Sequence, residues 1–276
     1  MSAAPATLGI IAGSGRLPLQ LVETCRSTHR PFFVLAFENA TDLAALGPVP
    51  HAVVRLGAVG EALAHLRKAN ATELVLAGRI ARPSIASLKP DLTGAKLLAR
   101  LGASFFSGDD ALLRSVIAFL EVEGFKVVGV NDVMHDLITP FGQLGSVKPD
   151  ERSEADIVLG LRIARQLGQL DIGQAVIVEN GYVLGVEAAE GTDALIERCA
   201  ALKREKSAGV LVKICKPGQE ARADLPAIGP STIEKIAACG LKGVALEASA
   251  SIILDRPAAI ARADALGLFM LGVHHE

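Results

Sequence analysis

The chain has 276 residues, enough for one large domain or two modest ones. Half of them are apolar, only 4% are aromatic and Trp is absent, so the mean hydropathy of +0.40 comes from Ala, Leu, Val and Ile. Lys plus Arg (28) nearly balances Asp plus Glu (30), and the net charge of −2 argues against a nucleic-acid binder held by a general positive field. Disorder, collagen and disulfide scaffolds are excluded by the same composition. No stretch reaches the roughly 18 uncharged apolar residues of a membrane span, and the start of the chain lacks the basic residues of a signal peptide. Cys25, Cys199, Cys215 and Cys239 form no C-x-x-C pair and read as small hydrophobes in a reducing, cytoplasmic setting. The six histidines form no metal-ligand pattern.

The first half alternates short β-branched runs with helical patterns. Residues 7–12 read as a strand and 17–26 as a helix. Strands follow at 32–37 and 52–56, a helix at 60–68 and a strand at 74–77. A helix over 111–123 and a strand over 126–130 close the series. Alternation of this length predicts a parallel sheet with right-handed crossovers. Residues 136–152 are rich in Pro and Gly and weak in periodicity, which marks a linker. Beyond it, runs at 175–178 and 182–186 flank Asn180-Gly181, a two-residue hairpin signal. Helices are expected at 193–203, 232–239 and 257–266, with strands at 210–215, 244–247 and 252–254. The fold class is therefore α/β, a Rossmann-like parallel-sheet N-terminal domain (1–135) followed by the linker and a second, mixed α/β domain (153–276).

Ligands of open parallel sheets bind outside the carboxyl ends of the strands. Gly13-Ser14-Gly15 lies at the first such end. It reads either as a turn whose amides approach a phosphate or as a plain strand-to-helix turn. Pro18 occupies the place of the third glycine of a dinucleotide fingerprint. Glu38, at the end of the next strand, is placed to meet a ribose hydroxyl. Gly78-Arg79 follows the strand ELVLA, where Arg79 is either a phosphate grip or an exposed loop charge. Asp109-Asp110 reads as a magnesium pair or as a helix cap. Lys96 and Arg100 share one face of a short helix, a lipid-facing or a solvated surface.

In the second half, Glu187, Glu190, Thr192 and Asp193 cluster at a strand-to-helix transition. Lys213 interrupts the apolar strand GVLVKICKP, with Lys216 just beyond. A Lys on the same face as Leu211 pairs with an anion or reaches an edge. Asp224 follows in a loop stiffened by Pro226, Gly229 and Pro230. It reads as a metal ligand or water-orienting base, or as a loop Asp bonding its own backbone.

The phrases LGIIAGSGRLP, GRIARP, GDDALLR, LDIGQAVIVENGYVLGVEAAEGTDALIER, GVLVKICKP and DLPAIGPSTIE resemble the LpxI-type UDP-2,3-diacylglucosamine pyrophosphatases. They run from residue 8 to about 255, and one visible departure is Ala227, where the family is expected to favour Thr. The resemblance implies hydrolysis of UDP-2,3-diacylglucosamine to UMP and 2,3-diacylglucosamine 1-phosphate (lipid X), with Mg2+, in lipid A synthesis. It implies water attack on the phosphorus nearer the sugar and a lipid held in the crevice between two domains. The family's essential aspartate maps onto Asp224. On this reading Asp224 and Lys213 are catalytic, and Asp224 and Glu190 hold the metal. Gly13, Ser14, Gly15, Gly78, Arg79, Thr192 and Lys216 bind the lipid-linked nucleotide sugar. Contact with the inner membrane is expected to be at most peripheral, and the sequence selects neither a monomer nor a homodimer. The alternatives are a non-catalytic nucleotide-lipid binding protein and a nucleotide-sugar oxidoreductase holding NAD at Gly13 and Gly15.

Overall fold

A strand buried on both faces must be apolar at successive positions, and residues 8–12 and 34–37 have that character. The computed structural model describes residues 6–81, 84, 88–102, 109–222 and 225–274. The chain divides into two units, Met1–His135 with Glu220–Asp224, and Asp136–Gln219 with Leu225–Glu276.

Unit 1 runs β1 (Thr7–Ala12), α1 (Leu17–Ser27), β2 (Phe32–Phe37), α2 (Leu43–Leu46), β3 (His51–Val54), α3 (Val59–Lys68) and β4 (Ala71–Ala77). It continues with α4 (Leu92–Leu101), α5 (Asp109–Val122), β5 (Lys126–Val127) and the short α6 (Val130–Val133). Its five strands are all parallel in the order β3-β2-β1-β4-β5. The order reverses direction between β1 and β4, which puts the natural ligand crevice outside their carboxyl ends. Leu63, Leu66, Leu74, Ile117 and Phe125 pack in the core on one side of this sheet. The strand expected to reach residue 130 stops at Val127, because Asp132 turns back to accept a hydrogen bond from the Gly129 amide at 2.8 Å and starts a helix.

Unit 2 begins with β6 (Gly142–Leu144), α7 (Glu151–Gln169), β7 (Ala175–Glu179), β8 (Tyr182–Val186), α8 (Thr192–Ala200) and β9 (Val210–Lys213). Then come β10 (Ala227–Ile228), α9 (Pro230–Ala238), β11 (Gly243–Glu247), β12 (Ile252–Ile253), α10 (Arg256–Leu266) and β13 (Phe269–Val273). Its six-stranded sheet has the order β6-β13-β11-β9-β7-β8 and is mixed: β9, β11 and β13 are parallel, whereas β6, β7 and β8 join antiparallel. Strands β10 and β12 form a separate parallel pair. Leu211, Val244 and Met270 face one core and Val210, Val212 and Phe269 the other, as strand alternation requires.

Two stretches differ from expectation. Residues 136–152 are not a bare linker: Gly142–Leu144 forms the edge strand β6 against β13, and α7 starts at Glu151. Helix α7 itself is absent from the sequence reading. Its buried stripe is Ser153, Asp156, Ile157, Gly160, Ala164 and Gly168, mostly small residues that let the helix pack closely on β7 and β9. Asp156 on that stripe accepts the Asn180 and Gly181 amides at 2.8 and 2.7 Å. It thereby locks the β7–β8 hairpin, whose two turn residues have φ of +50° and +79°.

Candidate active site

Lys213 ends β9 in the middle of the unit 2 sheet, paired with Ala175 on one side and Leu246 on the other. It is 3% exposed. A buried ammonium is tolerated only with strong acceptors around it. Its Nζ donates to Thr192 Oγ1 at 2.9 Å and to the Ala227 carbonyl at 3.1 Å. The Thr192 hydroxyl has one proton and donates it to Glu187 Oε1 at 2.6 Å. Glu187, also buried, accepts the Gln174 amide at 3.2 Å on its other oxygen. The result is a buried polar chain, ammonium to hydroxyl to carboxylate, spanning β9, the first turn of α8 and the end of β8. Its outer end grips Ala227, inside the DLPAIGP phrase. The sequence showed Lys213 and Thr192 as candidates but not that they are partners. It missed Glu187 as the anchor of the chain, for which the only signal was a carboxylate following an apolar strand.

The other expected site residues are placed differently. Glu190 Oε1 accepts Arg198 Nε and Nη2 at 3.1 and 2.9 Å, and Oε2 accepts the Ala188 amide at 3.1 Å. Hydrogen bonding to its own backbone N–H and then to Arg198 holds its carboxyl below the ordinary carboxylate range. Lys216 pairs with Asp171 at 2.6 Å. Asp224 and Gly108 lie outside the described residues. Asp110 accepts the Glu220 amide at 2.7 Å and pairs with Arg114, so both its oxygens are engaged by protein donors. No group of three His, Cys, Asp or Glu among the described residues could hold a metal ion. The carboxylates of Glu187, Glu190 and Asp110 are each engaged by protein donors.

The segment before Asp224 is fastened by contacts that sequence spacing hides. Arg222 donates Nε and Nη2 to Glu220 at 2.8 and 2.9 Å, and Nη1 to Glu121 on α5 at 2.6 Å. The Arg222 pair holds the Glu220 carboxyl below the usual carboxylate range, and the two carboxylates raise Arg222 above its already high value. Glu121 lies about a hundred positions before Arg222 in the chain, so no local motif announces that pair.

At the unit 1 sheet, Ser14 and Arg79 form an isolated antiparallel bridge. The Gly13 amide donates to Ala77 O at 2.7 Å, and the Ser14 amide and hydroxyl donate to Arg79 O at 2.8 and 3.0 Å. Those amides are spent on the neighbouring strand end and are not offered to a phosphate. Gly13 is required for a different reason: a Cβ there would lie 2.5 Å from Arg79 O. Gly13, Ser14, Gly78 and Arg79 are therefore brought together, as a sealed junction of the β1 and β4 loops.

The LpxI N-terminal domain model matches residues 7–137 and the LpxI C-terminal domain model residues 140–271. The chain belongs to the LpxI family. A curated relative, the UDP-2,3-diacylglucosamine pyrophosphatase LpxI of Caulobacter vibrioides, is 43% identical over 272 residues, 96% of this chain and 97% of that protein. The LpxI match takes in every site residue named above, with the Gly13–Arg79 junction in its N-terminal part and the Glu187–Thr192–Lys213 chain in its C-terminal part. Among solved structures, an N5-carboxyaminoimidazole synthase from Aspergillus clavatus matches at 14% identity and a TM-score of 0.25, over 73% of this chain and 45% of that one. So slight a likeness carries no argument for this LpxI chain.

Proposed function

We propose that this chain hydrolyses the pyrophosphate of UDP-2,3-diacylglucosamine to UMP and 2,3-diacylglucosamine 1-phosphate, a step of lipid A synthesis at the cytoplasmic face of the inner membrane. The observation that carries the proposal is the 43% identity to a pyrophosphatase of that substrate across nearly the whole of both chains. No helix among the described residues is long and apolar enough to cross a membrane, so a substrate with two acyl chains is met from the surface of the bilayer.

In the reaction, water forms a bond to the phosphorus nearer the sugar, the bridging P–O bond breaks, and UMP leaves. Asp224 takes the water proton or orients the water. Lys213 is too buried for a direct grip on substrate. It acts as a positioning residue, holding Ala227 and with it the end of the Asp224 loop, while Thr192 and Glu187 fix the ammonium. A divalent hard cation is proposed to arrive on the substrate's phosphates, since magnesium commonly binds through one or two carboxylates plus phosphate oxygens.

Against the oxidoreductase alternative stand the Gly13 amide, which bonds to Ala77 O, and Pro18 in the place of the third glycine. The test is incubation of the chain with UDP-2,3-diacylglucosamine and MgCl2 in mixed micelles, with UMP and lipid X separated. Asp224→Asn is expected to bind substrate while turnover falls at least about 100-fold. Binding without release of UMP by the unaltered chain would make it a carrier instead.

A further inference from the structure

Unit 1 carries a cavity of about 910 Å³ at the amino ends of its strands, the opposite end of the sheet from the carboxyl-end crevice. Thr7, Phe32 and His51, the first residues of β1, β2 and β3, lie in its wall. The closing turns of α1 and α3 supply Arg26, His65 and Lys68, and the turn after α1 supplies His29 and Arg30. The volume falls within the roughly 300–1,000 Å³ of small-molecule sites.

Apart from Cys25, every titratable side chain among the described lining residues is basic, and three of the chain's six histidines are gathered here. In a chain with 30 acidic residues against 28 Lys and Arg, composition alone does not produce such a segregation. Cations suit the last turn of a helix, which accounts for Arg26, His65 and Lys68. Arg30 is balanced by Glu73 at 2.5 Å. Neither reason covers His51, at the start of a strand. Nor does it cover His29, which leaves α1 in a left-handed conformation, φ +55°, at a position glycine usually fills.

The basic groups keep donors to offer. Arg26 Nη2 donates to Pro48 O at 2.9 Å, which fixes the guanidinium and leaves its other N–H groups. His51 Nδ1 donates to Val49 O at 2.8 Å, which fixes the ring and leaves Nε2. His65 has only Glu61 nearby, at 3.9 Å. Among the described residues, His29 and Lys68 make no side-chain hydrogen bond or ion pair. Like charges gathered from separate segments repel one another, and a multiply charged anion relieves that repulsion. The apolar walls, Pro31, Phe32, Phe33 and Pro50, concentrate the field on whatever occupies the space.

The cations come from the ends of both α1 and α3, which calls for more than one phosphoryl group. A bilayer fits less well. Binding at a membrane surface combines charge with inserted apolar side chains, and none of the large apolar side chains exposed among the described residues lines this cavity.

We propose that the cavity at the amino ends of β1 to β3 binds a small molecule carrying two or more phosphoryl groups, held by Arg26, Lys68 and the imidazoles of His29, His51 and His65. The proposal does not depend on the hydrolysis proposed above.

Titration of the full chain with inorganic triphosphate, followed by its imidazole proton resonances, tests it. The signals of His29, His51 and His65 move together and saturate with one dissociation constant, below about 1 mM. Arg26→Ala and Lys68→Ala each weaken that constant about tenfold, the worth of one charge-assisted hydrogen bond. Lys148→Ala makes the same charge change in unit 2 and leaves it unaltered, as does Arg79→Ala at the carboxyl end of β4. Arg26, Lys68, Arg79 and Lys148 are all exposed, and matched thermal melts verify that the variants fold. Signals that drift without saturating, or an equal loss in Lys148→Ala, would reduce the site to a diffuse positive field and overturn the proposal. Sedimentation with phosphatidylglycerol vesicles that needs Lys68, without a saturable response to triphosphate, would replace the small molecule by a bilayer and overturn it equally.

Discussion

Thr192→Val separates the two ends of the buried polar chain without changing side-chain shape. It removes the hydroxyl that accepts from Lys213 at 2.9 Å and donates to Glu187 at 2.6 Å. Both partners are charged and nearly inaccessible, so water cannot replace what is lost. A hydrogen bond to a charged group is worth about 1.5–3 kcal/mol, and the two losses are not additive because they share one atom. Glu187 keeps the Gln174 amide and Lys213 keeps Ala227 O, which limits the damage. The expected cost is about 2–4 kcal/mol. For a unit of this size that lowers the melting temperature by about 6–12 °C. Thr192→Ser keeps the hydroxyl and should melt within about 3 °C of the unaltered chain. Differential scanning calorimetry of both variants, with turnover measured alongside, makes the comparison. A Val variant as stable and as active as the Ser variant would refute the claim that the hydroxyl links the two charges.

Exhaustive treatment with EDTA should abolish turnover and added Mg2+ restore it, read by release of UMP; full activity after chelation would count against cation-dependent hydrolysis. Asp150 caps α7 by accepting the Ser153 amide at 2.8 Å and pairs with Lys242 at 2.6 Å, so Asp150→Ala should cost about 1 kcal/mol in a denaturant titration. The Lys242 hydrogen bond, and then the Ser153 amide, hold the Asp150 carboxyl well below its usual value. Its stabilisation is therefore complete above the unfolded-state value of about 3.9 and is lost as pH falls further; melting in acid should show Asp150→Ala converging on the unaltered chain. Gly13→Ala forces a Cβ to 2.5 Å from Arg79 O and should destabilise by about 1–3 kcal/mol, measured by thermal melting.

The parts of the fold that were legible are those where burial follows hydrophobicity alone. The strands Thr7–Ala12 and Phe32–Phe37 are buried at successive positions from Leu8 and from Val34 onward because both sheet faces are covered there, and their bounds could be read directly. Asn180-Gly181 announced its hairpin through the positive φ it needs. Helix α7 was missed because its buried face mixes Ile157 with Ser, Asp, Gly and Ala that serve close approach: a Cβ on Gly160 would meet Val212 at 2.5 Å. The edge strand Gly142–Leu144 was hidden in a Pro/Gly-rich stretch, since one short pairing with β13 leaves no period to detect. At the site, Lys213 stood out as a charge in an apolar strand. Its partners did not, because Thr192 and Ala227 are brought to it by tertiary structure. The pairing of Arg222 with Glu121 has the same origin. Gly13 looked like part of a phosphate turn because close backbone approach and phosphate binding ask for the same residue; its amide bonds to Ala77 O and a Cβ on it would meet Arg79 O.

The most direct test of the account is hydrolysis of UDP-2,3-diacylglucosamine with Mg2+ in water enriched in oxygen-18, with both products analysed by mass spectrometry. The account predicts UMP without label and 2,3-diacylglucosamine 1-phosphate carrying one labelled oxygen, as attack on the phosphorus nearer the sugar requires. Label in UMP would contradict the direction of attack, and the absence of both products would contradict the assignment of hydrolysis itself.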